Sequence, residues 1–185
     1  MREDGFFQPR GEGLSSSAGE LLEAVLRRAA ETYEERKLPY LSRIFTAVAH
    51  DPGVPAADAQ YLVGVANDLA YRQLVALSVL GRHNEHEEAL ISATVNQTEG
   101  TAERDPGLRL EIVDLINRQL VGVGDQFSAS AVADPLEGLG PRDRIGFGQL
   151  RLLPAGQLLV RLMGLESIDR KERDGWLREL GAAGT

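Results

Sequence analysis

Along the chain, stretches whose apolar residues recur every three or four positions alternate with short stretches where Gly, Pro and charge break the rhythm. The longest periodic region covers 33–81, YEERKLPYLSRIFTAVAHDPGVPAADAQYLVGVANDLAYRQLVALSVLG. Ahead of it, Leu21, Leu22, Val25, Leu26, Ala29 and Tyr33 sit at helical spacing, which predicts an amphipathic helix with these residues on its inner face. Ser17-Ala18-Gly19-Glu20 reads as the capping box of that helix: the Ser oxygen accepts an early amide, and Glu20 reaches back to the cap's own N–H. Pro39 disfavours helical geometry at Leu38 and has no amide to donate, which predicts a kink or restart. A second helix over 39–49 then turns Tyr40, Leu41, Ile44, Phe45 and Val48 inward.

Asp51-Pro52-Gly53-Val54-Pro55 is a turn, and Pro55 suits the first turn of a third helix, where its missing N–H costs nothing. That helix extends to about Leu80 with apolar residues on more than one face, so it is expected to be central and buried. Asn67 and Asp68 weaken its middle and predict two helices meeting near Ala70. Residues 81–84 form a break, 85–97 a weaker helix, and 98–107 a polar loop. A helix over 108–119 points Leu108, Ile112, Leu115 and Ile116 inward.

After Leu120 the pattern changes. Residues 120–123, 127–132 and 145–152 alternate in a strand-like way, with a Gly- and Pro-containing loop over 134–144. Pro154 opens a helix carrying Leu158, Leu159 and Leu162, and Ser167 or Asp169 caps a last one in which Ile168, Trp176, Leu177 and Leu180 pack back. No internal repeat is present. The fold class predicted is mainly α: a helical bundle over 17–81, joined to a helical part over 82–185 with a small antiparallel β-hairpin. Residues 1–16, rich in Gly, Ser, Pro and charge, read as a disordered tail. Its adjacent Phe6 and Phe7 either dock into a partner's groove or fold back on their own domain.

Composition narrows the function classes. At 185 residues, with 43% hydrophobic and 26% charged, the chain can bury a core. With no Cys there are no disulfides, thiolate zinc sites or Cys nucleophiles. A net charge of −8 opposes general polyanion binding, which draws its affinity from neutralised phosphates. No secretory signal pattern opens the sequence, and no apolar run approaches the roughly eighteen residues of a membrane span. A cytoplasmic protein without a membrane partner is expected.

Candidate chemistry is sparse. His83 and His86 stand three apart beside Glu87 and Glu88, with His50 elsewhere, but a solvated charged face is the preferred reading and no metal is assigned. The Glu-x-x-His pattern of di-iron bundles fails, because Ala47, Leu80 and His83 stand three before the three His. Gly122-Val123-Gly124 lacks the third Gly and following helix of a phosphate cradle, and no Gly-x-Ser-x-Gly elbow occurs. No cofactor and no catalytic residue are assigned, and the protein is expected not to be an enzyme. Tyr71 and Arg72 are candidates for an interface, since Tyr and Arg are enriched at hot spots. The preferred reading is structural: Arg72 pairs with Glu34, Glu35 or Asp68 while Tyr71 packs. Arg27, Arg28, Arg36, Lys37 and Arg43 are read as a solvated face.

The order of elements over 85–163 resembles a winged helix. Residues 151–163, RLLPAGQLLVRLM, are similar to the end of the wing in bacterial winged-helix regulators, where a strand finishes in Leu-Thr-x-x-Gly and enters a helix. Leu153 stands in place of the Thr, and Gly156 matches the Gly. The resemblance implies that 108–119 is a recognition helix offering Arg109, Asn117, Arg118 and Gln119, with Arg142 and Arg144 in the wing. Glu111, Asp114, Asp134, Glu137 and Asp143 leave neither element net basic, contrary to what base and phosphate contacts need. A second pattern, ERKLPYL…IF…DP…YRQL, resembles uncharacterised bacterial helical proteins and implies a bacterial origin. The expected function is a protein–protein interaction or adaptor module that self-associates or binds a protein partner. The alternative is a winged-helix DNA-binding regulator.

Overall fold

A computed structural model of the chain describes residues 2–9, 11, 14–82, 106–123 and 150–180. The described residues form seven α-helices and one two-stranded antiparallel sheet, so the fold is mainly helical with a small β element. The helices are α1 (Ser17–Glu31), α2 (Leu38–His50), α3 (Ala56–Asp68), α4 (Tyr71–Gly81), α5 (Pro106–Asn117), α6 (Pro154–Met163) and α7 (Arg170–Glu179). The strands are β1 (Val121–Val123) and β2 (Leu150–Leu152). The expected helix over 85–97, strand over 127–132 and loop over 134–144 lie outside the described residues. None of the described helices is long and apolar enough to cross a membrane.

The chain forms two compact units, one from Met1–Leu74 with Leu159–Leu165, the other from Val75–Leu158 with Glu166–Thr185. Two polar contacts explain why the end of α6 belongs with the first unit. Arg161 Nη1 lies 2.6 Å from Asp51 Oδ2, and Arg43 Nη1 donates to the Gly164 carbonyl at 3.1 Å. Gly164 takes φ +62° to end α6, a conformation that penalises any side chain.

In the first unit α1 packs on α2 and α3, and α2 on α3. Leu21, Leu41, Ile44, Val48, Leu62 and Leu69 are fully buried among them. The cap of α1 is Ser16, one residue earlier than expected: its Oγ accepts from Gly19 N–H at 3.0 Å. Glu20 is therefore one position too far along to close a capping box. The chain restarts here after a 3₁₀ turn over Glu35–Lys37, but Leu38, expected to avoid helical geometry, is helical at φ −53°, ψ −46° and opens α2, with Pro39 in its first turn. The long apolar stretch divides at Leu69 and Ala70, where Leu69 turns extended.

In the second unit α5 ends with Gln119 at φ 56°. Gln119 N–H donates to the Ile116 carbonyl and Leu120 N–H to that of Leu115, a Schellman closure with a non-Gly residue at the left-handed position. The chain then enters β1, whose Val121, Gly122 and Val123 pair with Leu152, Arg151 and Leu150 of β2. Leu153 N–H donates to the Leu120 carbonyl at 3.0 Å, and Gly156 lies directly against that same carbonyl. Asp169 caps α7 by accepting from Lys171 N–H, and Trp176, Leu177 and Leu180 are buried as expected.

Candidate interaction surface

Phe6, expected in a disordered tail and either to dock into a partner's groove or to fold back on its own domain, folds back and is ordered. It is buried, its carbonyl accepts from Ala18 N–H at 2.9 Å, and Pro9 bridges Ser16. The Arg2 guanidinium stacks 4.4 Å from the Phe6 ring centre and donates to the Val54 carbonyl at 2.7 Å. A cation over a buried ring, with an apolar burial beneath, overcomes the low apolar content of the segment. Phe7, half-buried, meets Phe6 edge-on at 5.0 Å.

Tyr71 is held structurally. Its N–H donates to Glu34 Oε2 at 2.9 Å, its ring lies 6.2 Å from that of Tyr40, and Arg36 approaches it at 5.8 Å. Arg72 is half-buried. Lys37 was expected on a solvated face but is only 3% exposed. Its Nζ donates to the Asn67 carbonyl at 2.6 Å and to the Leu69 carbonyl, with Glu34 at 3.8 Å. Burial pushes its pKa below the ordinary lysine value, and the carboxylates of Glu34 and Asp68 pull against that. Lys37 thus takes the orphan carbonyls closing α3, while Glu34 takes the first amide of α4 and Gln73 Oε1 accepts from Ala70 N–H at 2.8 Å. The only sequence signal for this was the weak middle at Asn67 and Asp68, which demanded caps without naming their source.

The nucleic-acid candidates are only partly placed. Asn117 is exposed at the end of α5, and Arg118 Nε is engaged by Asp114 at 2.9 Å one turn back. The side chain of Arg109, all of Arg142 and Arg144, and the histidines His83 and His86 lie outside the described residues. His50 is exposed, with Nδ1 2.8 Å from the Thr46 carbonyl. The described face of α5 also presents Leu110 to solvent, a poor substitute for a phosphate contact.

The clearest candidate surface is on α1. Ala18, Leu21 and Val25 face the core, whereas Leu22 is 40% exposed, Leu26 61%, and Tyr33, just past the helix end, is fully exposed. All of these except Ala18 were expected on one inner face. At about 100° per residue, Leu22, Leu26 and Ala29 form a second seam about 70° round the helix from the buried one. Their 4-3 spacing is that of a helix-pairing seam, which ends before Tyr33 because Thr32 turns extended. Glu23 and Arg27 flank it on the outer side, 2.6 Å apart and both well exposed. The arrangement can bury apolar area against another helix and align charge along it; among the described residues no group of three or more His, Asp or Glu converges to hold a metal. Compared with known proteins, the chain matches no family model, no curated protein and no solved structure.

Proposed function

We propose that this chain is a non-catalytic protein–protein interaction module that self-associates. The observation that carries the reading is the outward seam of Leu22 and Leu26 on α1. Scattered exposed apolar residues need no explanation, but ones aligned at helix-pairing spacing beside a finished core face do. Burial of such a seam against a second apolar surface supplies affinity that depends little on salt. Sedimentation equilibrium of the full chain from low to high micromolar concentration tests the reading. The mass is expected to rise with concentration at both low and high salt. A chain monomeric throughout that range removes the self-association.

The order α5, β1, β2, α6 and the exposed Asn117 support a second reading, a DNA-binding regulator reading bases with α5 and holding phosphates with the wing. Retention of genomic DNA fragments that falls steeply with salt would favour it. No retention at low salt would end it.

A further inference from the structure

We infer that Arg173 and Trp176, on one face of α7, form a binding site for a small oxyanion, a phosphate or a carboxylate. The inference stands apart from the self-association reading and uses no residue of α1.

The two side chains are buried donors that the fold leaves unused. Arg173 is 6% exposed and Trp176 3%. Neither Arg173 Nε nor Trp176 Nε1 meets an acceptor among the described residues, and both atoms are shut off from solvent. A buried indole N–H ordinarily has a partner, so an orphaned one calls for an explanation. Three residues apart, the two positions stand about 60° round the helix and about 4.5 Å along it, within one turn.

The arginine carries the stronger argument, because its charge goes unanswered. Among the described residues no carboxylate pairs with its guanidinium, although α7 and its cap are rich in them. Asp169 accepts from Lys171 N–H, and Asp174 lies 3.6 Å from Arg170. Arg173 Nη1 donates to the Ile168 carbonyl. That contact fixes the group and leaves the opposite edge, Nε with Nη2, which matches two oxygens of a carboxylate or phosphate. A second cation approaches the same turn: Arg82 Nη2 donates to the Glu166 carbonyl at 3.2 Å, two residues before the carbonyl that Arg173 holds.

The donor set decides the ligand class. Arg173 Nε and Nη2 and Trp176 Nε1 all donate, so the ligand accepts. Water could accept from them but brings no charge. A guanidinium keeps its proton wherever proteins fold, so the site cannot relieve its burial by becoming neutral. A buried charge without a counter-charge is strongly unfavourable, and an anion on the free edge removes that cost.

Trp176 is the chain's single tryptophan, so its indole N–H gives one resonance that reports the site directly. The full chain is titrated with phosphate and, separately, with acetate, at an ionic strength held constant by sodium chloride. A saturable downfield shift of the indole proton is expected, together with a melting temperature raised by the same anion. The anion with the lower half-saturation identifies the source chemistry. Arg173→Lys keeps the charge but loses the fork, and should weaken binding about tenfold. Arg173→Gln should abolish the saturable shift; if it does not fold, Arg173→Lys carries the test. Trp176→Phe removes the indole donor and should reduce the rise in melting temperature. An indole resonance that responds to neither anion beyond the chloride control leaves both donors to water and overturns the site. Binding undiminished in Arg173→Lys and Trp176→Phe places the anion elsewhere and overturns it equally.

Discussion

Replacing Gly156 by Ala puts a close backbone approach in the second unit to a direct test. A Cβ built at Gly156 would stand 2.1 Å from the Leu120 carbonyl oxygen, 3.0 Å from its carbon and 3.3 Å from its Cα. An ordinary carbon–oxygen contact needs about one ångström more than the first of these. The obstacle is backbone, so no side-chain rotation relieves it; α6 or the end of α5 must move. Leu120's carbonyl also accepts from Leu153 N–H at 3.0 Å, and a shift of about an ångström stretches that bond beyond useful length. Overpacking costs about 1–3 kcal/mol and the lost hydrogen bond about 1 kcal/mol, offset by up to about 1 kcal/mol of helix propensity. The net destabilisation is about 2 kcal/mol. In urea this lowers the unfolding midpoint by about 1 M, for a slope of about 2 kcal/mol per M. Gly64 supplies the internal control: it lies within α3 with nothing inside 4 Å of a built Cβ, so Gly64→Ala should stabilise by up to about 1 kcal/mol. If both alanines stabilise equally, steric contact at Leu120 is not what requires glycine at position 156.

Gln119→Gly should raise stability by about 1 kcal/mol, because the left-handed conformation at φ 56° is strained for a side chain and free for glycine; the urea midpoint checks it, and a fall would refute the strain. Asp51 responds to acid. The Gly53 N–H, and next the Arg161 guanidinium, hold its carboxyl below the ordinary aspartate value of 3.8. Its contribution is therefore complete above that ordinary value and is lost as pH falls through the lower, folded one. Asp51→Asn should make the acid limb of a stability-against-pH curve shallower, and an unchanged limb would show that the Arg161 pairing contributes nothing.

The sequence announces helices well because their signals are local. The restart at Pro39, the turn at 51–55 and the break near Ala70 all come from residues that cannot continue a helix. The sites are less legible because they depend on what lies across the fold. Periodicity shows that Leu21, Leu22, Val25 and Leu26 share one side of α1, but not how wide a face α2 and α3 can cover. They cover the Leu21 and Val25 side and leave Leu22 and Leu26 outside. Lys37 carries no local mark of burial; its acceptors lie 30 and 32 residues on. Phe6 depends likewise on Arg2 reaching Val54. Gly156 stood out by resemblance alone, and its physical reason, the Leu120 carbonyl, lies 36 positions earlier in the chain.

The step between α3 and α4 has a consequence for exchange with solvent deuterium. Amides at the start of a helix have no acceptor within it and ordinarily exchange quickly. Here Ala70 N–H is held by Gln73, and Tyr71 N–H by Glu34, a residue 37 positions away. Glu34 leads into the turn that also carries Lys37, whose Nζ is fastened to the Asn67 and Leu69 carbonyls. Tyr71 N–H therefore becomes free when the 34–37 segment lifts off, not when α4 frays at its own end. A helix interruption that would otherwise be an early place to open becomes slow to label, and its labelling follows the opening of the first unit.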